Sequence, residues 1–288
     1  MRAVSPRFIA CHRPLDAARI VVYGIPFEGR VNLRKGAGGG PRDLRLASDS
    51  IETYSPVLGR DMEDLALADV GDCELPDGAA PREQLDAARE QIAAWWHPGL
   101  LPFMLGGDHT ATVPVIEVLA PHFPDLLVLQ LDAHPDLREE FLGERYNYAS
   151  AMARVMDVVP PERVYQVGIR TGSREEYARH RPNFYPGFAM PPLEAIRGIL
   201  PELIGRPLYV TIDVDVIDPS EAPGTGSPEP CGVRVADVIE IVRLLRACTV
   251  IGGDLVEVAH AWDPTGRTGI AASWVIREAL LSWWGDQR

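Results

Sequence analysis

The chain has 288 residues, 46% of them hydrophobic, and a formal net charge of −13. This length and hydrophobic content suit one α/β domain with a large core. The negative charge disfavours nucleic acids and anionic membranes as partners. The four cysteines are scattered without C-x-x-C spacing, which argues against a disulfide framework or a zinc knuckle and fits a reducing cytoplasm. The N-terminus has no apolar signal region and no apolar run reaches membrane-spanning length, so we expect a cytoplasmic protein.

Short apolar runs alternate with helical patterns along the chain. Six runs predict buried strands: ARIVVYGIPF, LLPFMLGG, LLVLQLDAH, RVYQVGIR, LYVTIDVDV and VIGGDLVEV. Helices are predicted over PREQLDAAREQIAAWW, VPVIEVLAPHF and VADVIEIVRLLRAC. Nearly continuous apolar strands separated by helices indicate a mostly parallel sheet that is covered on both faces. The stretches RVNLRKGAGGGPRD and IDPSEAPGTGSPEPCG are predicted loops. We expect a single domain over residues 1–288, with residues 1–18 as a short N-terminal extension.

Side chains that can bind metal ions follow three of the predicted strands. They are His109 in LGGDHT, then Asp132, His134 and Asp136 in LDAHPD, and Asp213 and Asp215 in TIDVDV. The carboxyl ends of parallel strands meet at one edge of a sheet, where open α/β sheets place their sites. Residues two apart share a face of an extended backbone. We therefore expect the side chains of Asp132, His134 and Asp136 to point in one direction, and likewise those of Asp213 and Asp215. A lone D-x-D is usually a cap, but three complementary segments at strand ends predict a metal site.

The number and type of these ligands indicate which metals fit. Four carboxylates and two imidazoles are too many for one small cation, whereas two divalent ions can share bridging carboxylates and make hydroxide from water. Oxygen-rich ligation without thiolates favours manganese over zinc. The two histidines leave iron, cobalt, nickel and zinc open.

Beyond these ligands, the motifs resemble those of the ureohydrolase family, the group of arginases and agmatinases. GGDH, DAHxD and DxDxxDP followed by APGTGSPEP carry the resemblance, and GIPFEG, GAGGGPRDLR, SIETYSPVLGRDMEDLALADVGD and GGDLVEV extend it to the agmatinase branch over residues 20 to 285. The resemblance implies a three-layer α/β/α arginase-like fold with a mostly parallel sheet of about eight strands. It also implies a hydrolase acting on C–N bonds of linear amidines, a role in polyamine metabolism, and a homo-oligomer that is a trimer or hexamer.

The resemblance further implies a cofactor of two Mn²⁺ ions. One ion would bind His109, Asp132, Asp136 and Asp213, and the other would bind Asp132, His134, Asp213 and Asp215. Asp132 and Asp213 would bridge the ions, and the hydroxide between them would attack the guanidinium carbon of a small cationic substrate and release urea. Asp136 would orient that hydroxide and pass its proton to the leaving nitrogen.

Substrate-binding residues also follow from the resemblance. Glu257 in GGDLVEV corresponds to the family glutamate that binds the guanidinium, and a carboxylate can do so with two charge-assisted hydrogen bonds. Ser227 in GTGSPEP stands where the family has a small hydroxyl residue near the substrate. A plain turn residue is an equally good interpretation of Ser227.

Two positions depart from the family pattern. Tyr148 stands at the family histidine that shuttles protons, and a tyrosine of pKa ~10 is a poor shuttle at pH 7 although it can hydrogen-bond a substrate. His260 stands where the family usually has proline, and we hypothesise that it partly replaces the lost shuttle from the mouth of the same site. A packed or solvated histidine without a role is the alternative for His260.

These departures leave the substrate and a second class of function open. Candidate substrates are agmatine, guanidinobutyrate, guanidinopropionate, arginine and free guanidine. Because of Tyr148, the alternative is a catalytically silent metal-binding homologue that acts as a partner or regulatory subunit. A single-zinc deacetylase is a third interpretation, and the complete second set of ligands disfavours it.

Overall fold

The structure is a computed structural model that describes residues 6–32, 34–179 and 183–286. Eight strands within these ranges form one sheet in the order β4-β1-β5-β10-β9-β6-β7-β8, and every neighbouring pair in it is parallel. β2 and β3 form a separate antiparallel pair. The strands are β1 Ile20–Ile25, β2 Tyr54–Ser55, β3 Arg60–Asp61, β4 Leu67–Asp72, β5 Leu101–Gly106, β6 Leu127–Leu131, β7 Val164–Val167, β8 Phe184–Tyr185, β9 Pro207–Asp213 and β10 Thr249–Val256. The predicted parallel sheet of about eight strands is confirmed.

Helices cover both faces of this sheet. They are α1 Gly40–Ser48, α2 Pro81–Trp95, α3 Thr112–Leu119, α4 Ala151–Val155, α5 Arg174–Ala178, α6 Pro192–Leu203, α7 Val235–Leu244 and α8 Arg267–Trp284. Buried side chains of α1, α6, α7 and α8 pack with one face of the strands, and those of α2, α3 and α4 pack with the other. Within β1, Ile20 and Val22 belong to the first core, while Val21 and Tyr23 belong to the second. The layers are therefore α/β/α, because successive strand residues point to opposite faces.

The first described residues pack against the sheet. Phe8 and Cys11 are buried in the core, and the backbone N–H of Phe8 donates to Asp69 Oδ2 at 2.8 Å. Residues 1–5 of the predicted extension lie outside the described residues. In the part of the chain that the structure describes, no helix combines the length and apolarity needed to cross a membrane.

Two local predictions from the sequence were wrong. The glycine-rich stretch that ends in GGGPRD is not a loop throughout, because α1 begins at Gly40 with a proline in its first turn. The backbone is also not extended beyond Asp132 and Asp213, since β6 ends at Leu131 and β9 ends at Asp213. The side chains of both aspartates accept hydrogen bonds from backbone N–H groups two residues ahead, at 2.6 Å from His134 and 2.8 Å from Asp215. These Asx turns curl the chain at the ends of the strands.

Candidate metal centre and active site

Four adjacent strands bring the candidate residues to one edge of the sheet. β5, β10, β9 and β6 are neighbours in that order, and their carboxyl ends lead to His109, Glu257, Asp213 and Asp132 respectively. Gly107 lets the turn after β5 approach the chain after β1, because a Cβ there would lie 2.0 Å from the carbonyl oxygen of Phe27. The parallel topology therefore gathers segments that are up to 148 residues apart in sequence.

The two histidines lie on either side of Asp132. His109 Nδ1 lies 3.0 Å from Asp132 Oδ2, 3.1 Å from Asp136 Oδ2 and 3.4 Å from Asp213 Oδ2. His134 Nδ1 lies 2.9 Å from Asp215 Oδ2 and 3.6 Å from Asp132 Oδ1. These side chains form two groups that can each hold a cation, and Asp132 belongs to both groups.

Two compact groups of possible ligands share Asp132. The first is His109, Asp132 and Asp213, and the second is Asp132, His134 and Asp215. Asp213 lies in the first group, and its bridging of two ions stays a prediction. Asp136 belongs to neither compact group but places one carboxylate oxygen beside His109.

The donor set fits a divalent cation. His109 is fully buried, and its Nδ1 has no hydrogen-bond partner among the described residues although three carboxylate oxygens surround it. Such an orphaned nitrogen is costly in a dry interior unless another partner completes it. A cation between this nitrogen and the carboxylates satisfies all of them at once. Oxygen and imidazole ligands without thiolates suit manganese and the metals near it.

The pKa values of the cluster reflect the crowding of like charges. Burial, followed by repulsion from Asp132, raises the pKa of Asp136 to about 7. Burial and the charges of Asp215 and Asp132 raise the pKa of Asp213 well above its ordinary value. Burial opposes ionisation of Asp132 too, but the neighbouring His109 and His134 side chains hold its pKa below the ordinary value. The crowding of these carboxyl groups therefore favours the binding of protons or of a cation that replaces them.

Glu257 is tied to the turn that carries His109. Its Oε1 accepts a hydrogen bond from the backbone N–H of His109 at 2.9 Å, and its own N–H donates to the carbonyl of Gly107 at 2.8 Å. Its other carboxylate oxygen faces Gly226, where a Cβ would lie 3.5 Å away. Burial and the neighbouring Asp108 raise the pKa of Glu257 well above its ordinary value.

Two residues of the site have strained backbone conformations. Asp136 and Glu257 adopt positive φ angles of 51° and 66°, a region that residues with a side chain rarely enter. Strain of this kind is concentrated at functional sites, where the surrounding contacts compensate for it. Both residues carry roles in the predicted chemistry.

A cavity of about 270 Å³ opens beside the two groups of ligands. Its walls contain His134, Pro135, Asp136, Arg138, Phe141, Tyr148, Ala149, Thr171, Gly172, Ser173, Glu176, Ser227 and Glu229. Tyr148 packs edge-on against Phe141 at 5.7 Å between ring centroids, and the Arg138 guanidinium lies 4.4 Å from the Phe141 ring centroid. Burial, then Glu257 and Asp136, raise the pKa of Tyr148. The structure therefore brings Tyr148 and Ser227 to the same cavity as the ligands.

His260 and Tyr148 line different cavities, so the structure does not bring these two residues together, and the role of His260 at the site stays a prediction. His260 is exposed and lines a separate cavity of about 490 Å³ together with Asp43 on α1 and Gly266 and Ile270 near the start of α8. That cavity shares no lining residue with the one that holds Tyr148. The left-handed turn at Glu257 and the hydrogen bond from the Ala259 N–H to the Gly224 carbonyl direct the chain away towards α1.

Several contacts of the site were absent from the sequence-based prediction. Gln130 Nε2 donates to Asp132 Oδ2 at 2.6 Å, and Glu229 Oε1 lies 3.6 Å from His134 Nε2. Arg170 binds four backbone carbonyls, those of Asp215, Val216, Glu229 and Pro230. A polar Gln130 inside an apolar strand, two residues before Asp132, was a signal that could have been used, because both side chains share one face.

Comparison with known proteins agrees with this fold and site. The family model described as "Arginase family" matches residues 18–282, and the chain belongs to that family. It is 39% identical to an agmatinase of Bacillus anthracis over 278 residues, which cover 96% of each chain. It is 34% identical to the mitochondrial guanidino acid hydrolase of Homo sapiens, covering 93% of this chain and 78% of that one. The crystal structure of the agmatine ureohydrolase of Thermoplasma volcanium matches with a TM-score of 0.87 at 28% identity, covering 98% of this chain and 95% of that one.

These matches identify the chain as a member of the agmatinase branch of the arginase family. It has the arginase-like α/β fold, and it is a hydrolase that acts on C–N bonds of amidines.

Proposed function

We propose that the chain is a dinuclear manganese amidinohydrolase that releases urea from a small guanidino compound. The observation that carries this proposal is the pair of ligand groups that share Asp132, with Glu257 held 2.9 Å from the backbone nitrogen of His109. The proposed centre therefore has two cation sites and a carboxylate for the guanidinium at one edge of the sheet, which is what hydrolysis of a guanidinium requires.

The residues proposed to hold the ions are those predicted from the sequence. His109, Asp132, Asp136 and Asp213 would hold one ion, and Asp132, His134, Asp213 and Asp215 would hold the other. Two divalent ions lower the pKa of a shared water towards neutrality and so supply hydroxide, the strong nucleophile that a poorly electrophilic guanidinium carbon needs. The distances of 2.9 to 3.6 Å between each histidine Nδ1 and its carboxylate neighbours support this assignment.

Glu257, Asp136, Tyr148 and Ser227 are proposed to act on the substrate. Glu257 accepts two N–H groups of the guanidinium fork, which orients its carbon towards the ligand groups. Asp136 would accept the proton of the attacking hydroxide and pass it to the departing nitrogen. Tyr148 and Ser227 hydrogen-bond the bound substrate from the cavity wall. With the proton in place, the amine leaves and urea remains.

The substrate tail is proposed to be short and to extend into the 270 Å³ cavity. The relatives include an agmatinase and a guanidino acid hydrolase, whose names imply an amine tail and a carboxylate tail. The cavity wall contains Glu176 and Glu229, whose charge suits an amine tail, and Arg138, whose charge suits a carboxylate tail. Agmatine, guanidinobutyrate, guanidinopropionate, arginine and free guanidine therefore form the test panel.

The proposal also covers the domain extent, the localisation, the pathway and the oligomeric state. We propose a single domain over residues 1–288 that works in the cytoplasm, in polyamine metabolism, as a homo-oligomeric trimer or hexamer. Leu46 on α1 and Ile270 and Trp274 on α8 are exposed apolar side chains on helices that pack together, which supports a subunit contact there. No observation favours the silent homologue, since Tyr148 lines the cavity beside an intact set of ligand residues.

Urea release against that panel tests the proposed function. Metal-free protein and protein reconstituted with Mn²⁺ are assayed side by side at pH 8 with the same coupled detection of urea. We expect urea from one or more guanidino compounds, and only from the reconstituted protein. Absence of urea across the panel, with two ions verified per chain, would contradict the proposal.

A further inference from the structure

Asp254 is a fully buried carboxylate on β10 that the proposed chemistry does not use. Its Oδ2 accepts hydrogen bonds from the hydroxyls of Tyr209 at 2.8 Å and Thr112 at 2.9 Å. Among the ion pairs of the described residues, none involves Asp254. A buried carboxylate without a cationic partner is costly, so a structural reason alone would favour a neutral residue at this position.

Thr211 connects this carboxylate to the metal centre. It lies opposite Asp254 in the parallel pairing of β9 with β10. Its Oγ1 is 2.9 Å from His109 Nε2 and 3.4 Å from Thr112 Oγ1. Thr112, Thr211, Asp254 and His109 all have a relative exposure of 0%, so the group is closed to bulk solvent.

The donors and acceptors of this group can form one consistent chain. The single hydroxyl proton of Thr112 goes to Asp254, so the Thr112 oxygen can accept from Thr211 at 3.4 Å. With the Thr211 proton directed there, its oxygen can accept from His109 Nε2–H at 2.9 Å. A neutral imidazole has one N–H, so in this tautomer Nδ1 has a free lone pair for a cation held among Asp132, Asp136 and Asp213.

We propose that Asp254 is a positioning residue of the metal centre. It orients the hydroxyls of Thr112 and Thr211, which hold His109 in the tautomer whose Nδ1 can bind a metal ion. The inference rests on the proposed function, because it assumes that an ion binds at His109. Mutation of a residue that hydrogen-bonds to a metal-bound histidine typically weakens metal binding by about 10- to 100-fold.

The other histidine of the cluster, His134, has a different neighbour on its Nε2 side. The inference therefore concerns only the ion at His109. His134 Nε2 lies 3.6 Å from Glu229 Oε1, at the edge of the cavity, and has no contact with the Thr211 network. A change at Asp254 or Thr211 should therefore affect the ion at His109 and leave the ion at His134 as it was. A merely structural fault in the sheet would weaken both ions or lower the stability of the metal-free chain.

The test is a titration of metal-free full-length protein with Co²⁺, followed by calorimetry and by the visible absorption of each bound ion. For D254N and T211V we expect one of the two ions to bind about 10- to 100-fold more weakly and the other to keep its affinity. T211S should restore wild-type binding, because it returns the hydroxyl. Y209F is the matched control, since it removes a hydrogen bond from the same Asp254 Oδ2 and leaves the Thr112–Thr211–His109 chain intact.

The outcomes separate this inference from the proposed function. Two ions bound by D254N and T211V with wild-type affinities would overturn the role of Asp254 while leaving the dinuclear centre in place. Fewer than two ions bound by the wild-type protein would overturn the proposed function and the inference with it. If D254N does not fold, the comparison of T211V with T211S decides, and equal binding by those two variants overturns the inference.

Discussion

The backbone N–H of His109 donates a hydrogen bond to Oε1 of Glu257 at 2.9 Å. The return bond, from the Glu257 N–H to the Gly107 carbonyl at 2.8 Å, closes a ring between the turn after β5 and the end of β10. A candidate metal ligand and the candidate guanidinium-binding carboxylate are therefore fixed to each other through backbone groups. A substrate held by Glu257 is thus held at a set position relative to His109.

Replacing Glu257 by glutamine tests the role of its charge. The amide oxygen keeps the hydrogen bond from His109, but a neutral group loses the charge-assisted bonds to the guanidinium. Hydrogen bonds to charged groups contribute about 1.5 to 3 kcal/mol, so we expect kcat/KM to fall by about 10- to 100-fold. Steady-state urea assays measure the fall, and metal analysis should still find two ions per chain. Wild-type kcat/KM in E257Q would remove Glu257 from substrate binding.

Two substitutions test the role of Tyr148: Y148F removes its hydroxyl group, and Y148H introduces a side chain that titrates near neutral pH. Y148F removes a neutral hydrogen bond of about 0.5 to 1.5 kcal/mol and should raise KM by up to about tenfold with little change in kcat. Y148H introduces an imidazole of pKa ~6.5, and we expect a higher kcat with a new pH dependence between about pH 6 and 8. Profiles of kcat from pH 6 to 9 measure both variants. If kcat of Y148H stays at or below that of the wild type throughout, a missing proton shuttle does not limit this enzyme.

His260 provides the complementary test, because it lies in a cavity separate from that of Tyr148. H260A should therefore retain wild-type kcat and KM from pH 6 to 9. The same assay applied to D136N, at the proposed proton donor, should show a large loss of kcat. A pH-dependent fall of kcat in H260A relative to the wild type would show that the residue takes part in proton transfer after all.

Metal binding should depend on pH because of the protons held by the ligand cluster. Burial, then Asp132, raises the pKa of Asp136 to about 7, so in the metal-free protein this group is protonated below pH 7 and ionised above it. A cation must displace that proton below pH 7 but not above it, so the apparent affinity for Mn²⁺ should weaken as the pH falls. One displaced proton corresponds to about tenfold per pH unit.

Calorimetry in two buffers of different protonation enthalpy measures the number of protons released when Mn²⁺ binds. We expect more protons released at pH 6 than at pH 8, and a smaller difference in D136N. Equal affinity and equal proton release at both pH values would contradict the assignment of Asp136 as a ligand that competes for protons.

The six strands predicted from the sequence are present, because each is an apolar run that the sheet buries on both faces. β4 was not predicted, since LADVGD interrupts its apolar residues with two aspartates, both of which pair with the buried Arg45. α8 was also not predicted. It is buried around most of its circumference, so its sequence has no clear amphipathic stripe.

The positions of the candidate metal ligands followed from the topology rather than from local geometry. The rule that strand ends meet at one edge placed all six ligand residues together, while the assumption of an extended backbone after Asp132 and Asp213 was wrong. The Thr211–Asp254 network could not be predicted, because it requires that β10 lie between β5 and β9. The place of His260 depended on the positive φ of Glu257, which nothing in its sequence indicates.

The most direct measurement is urea release during stepwise addition of Mn²⁺ to metal-free protein, with the most active guanidino compound as substrate. A dinuclear centre built around Asp132 predicts that activity rises until two ions are bound per chain and then stays constant, and that D132N shows no activity at any ratio. Activity that saturates at one ion per chain, or that persists in D132N, would contradict a dinuclear amidinohydrolase.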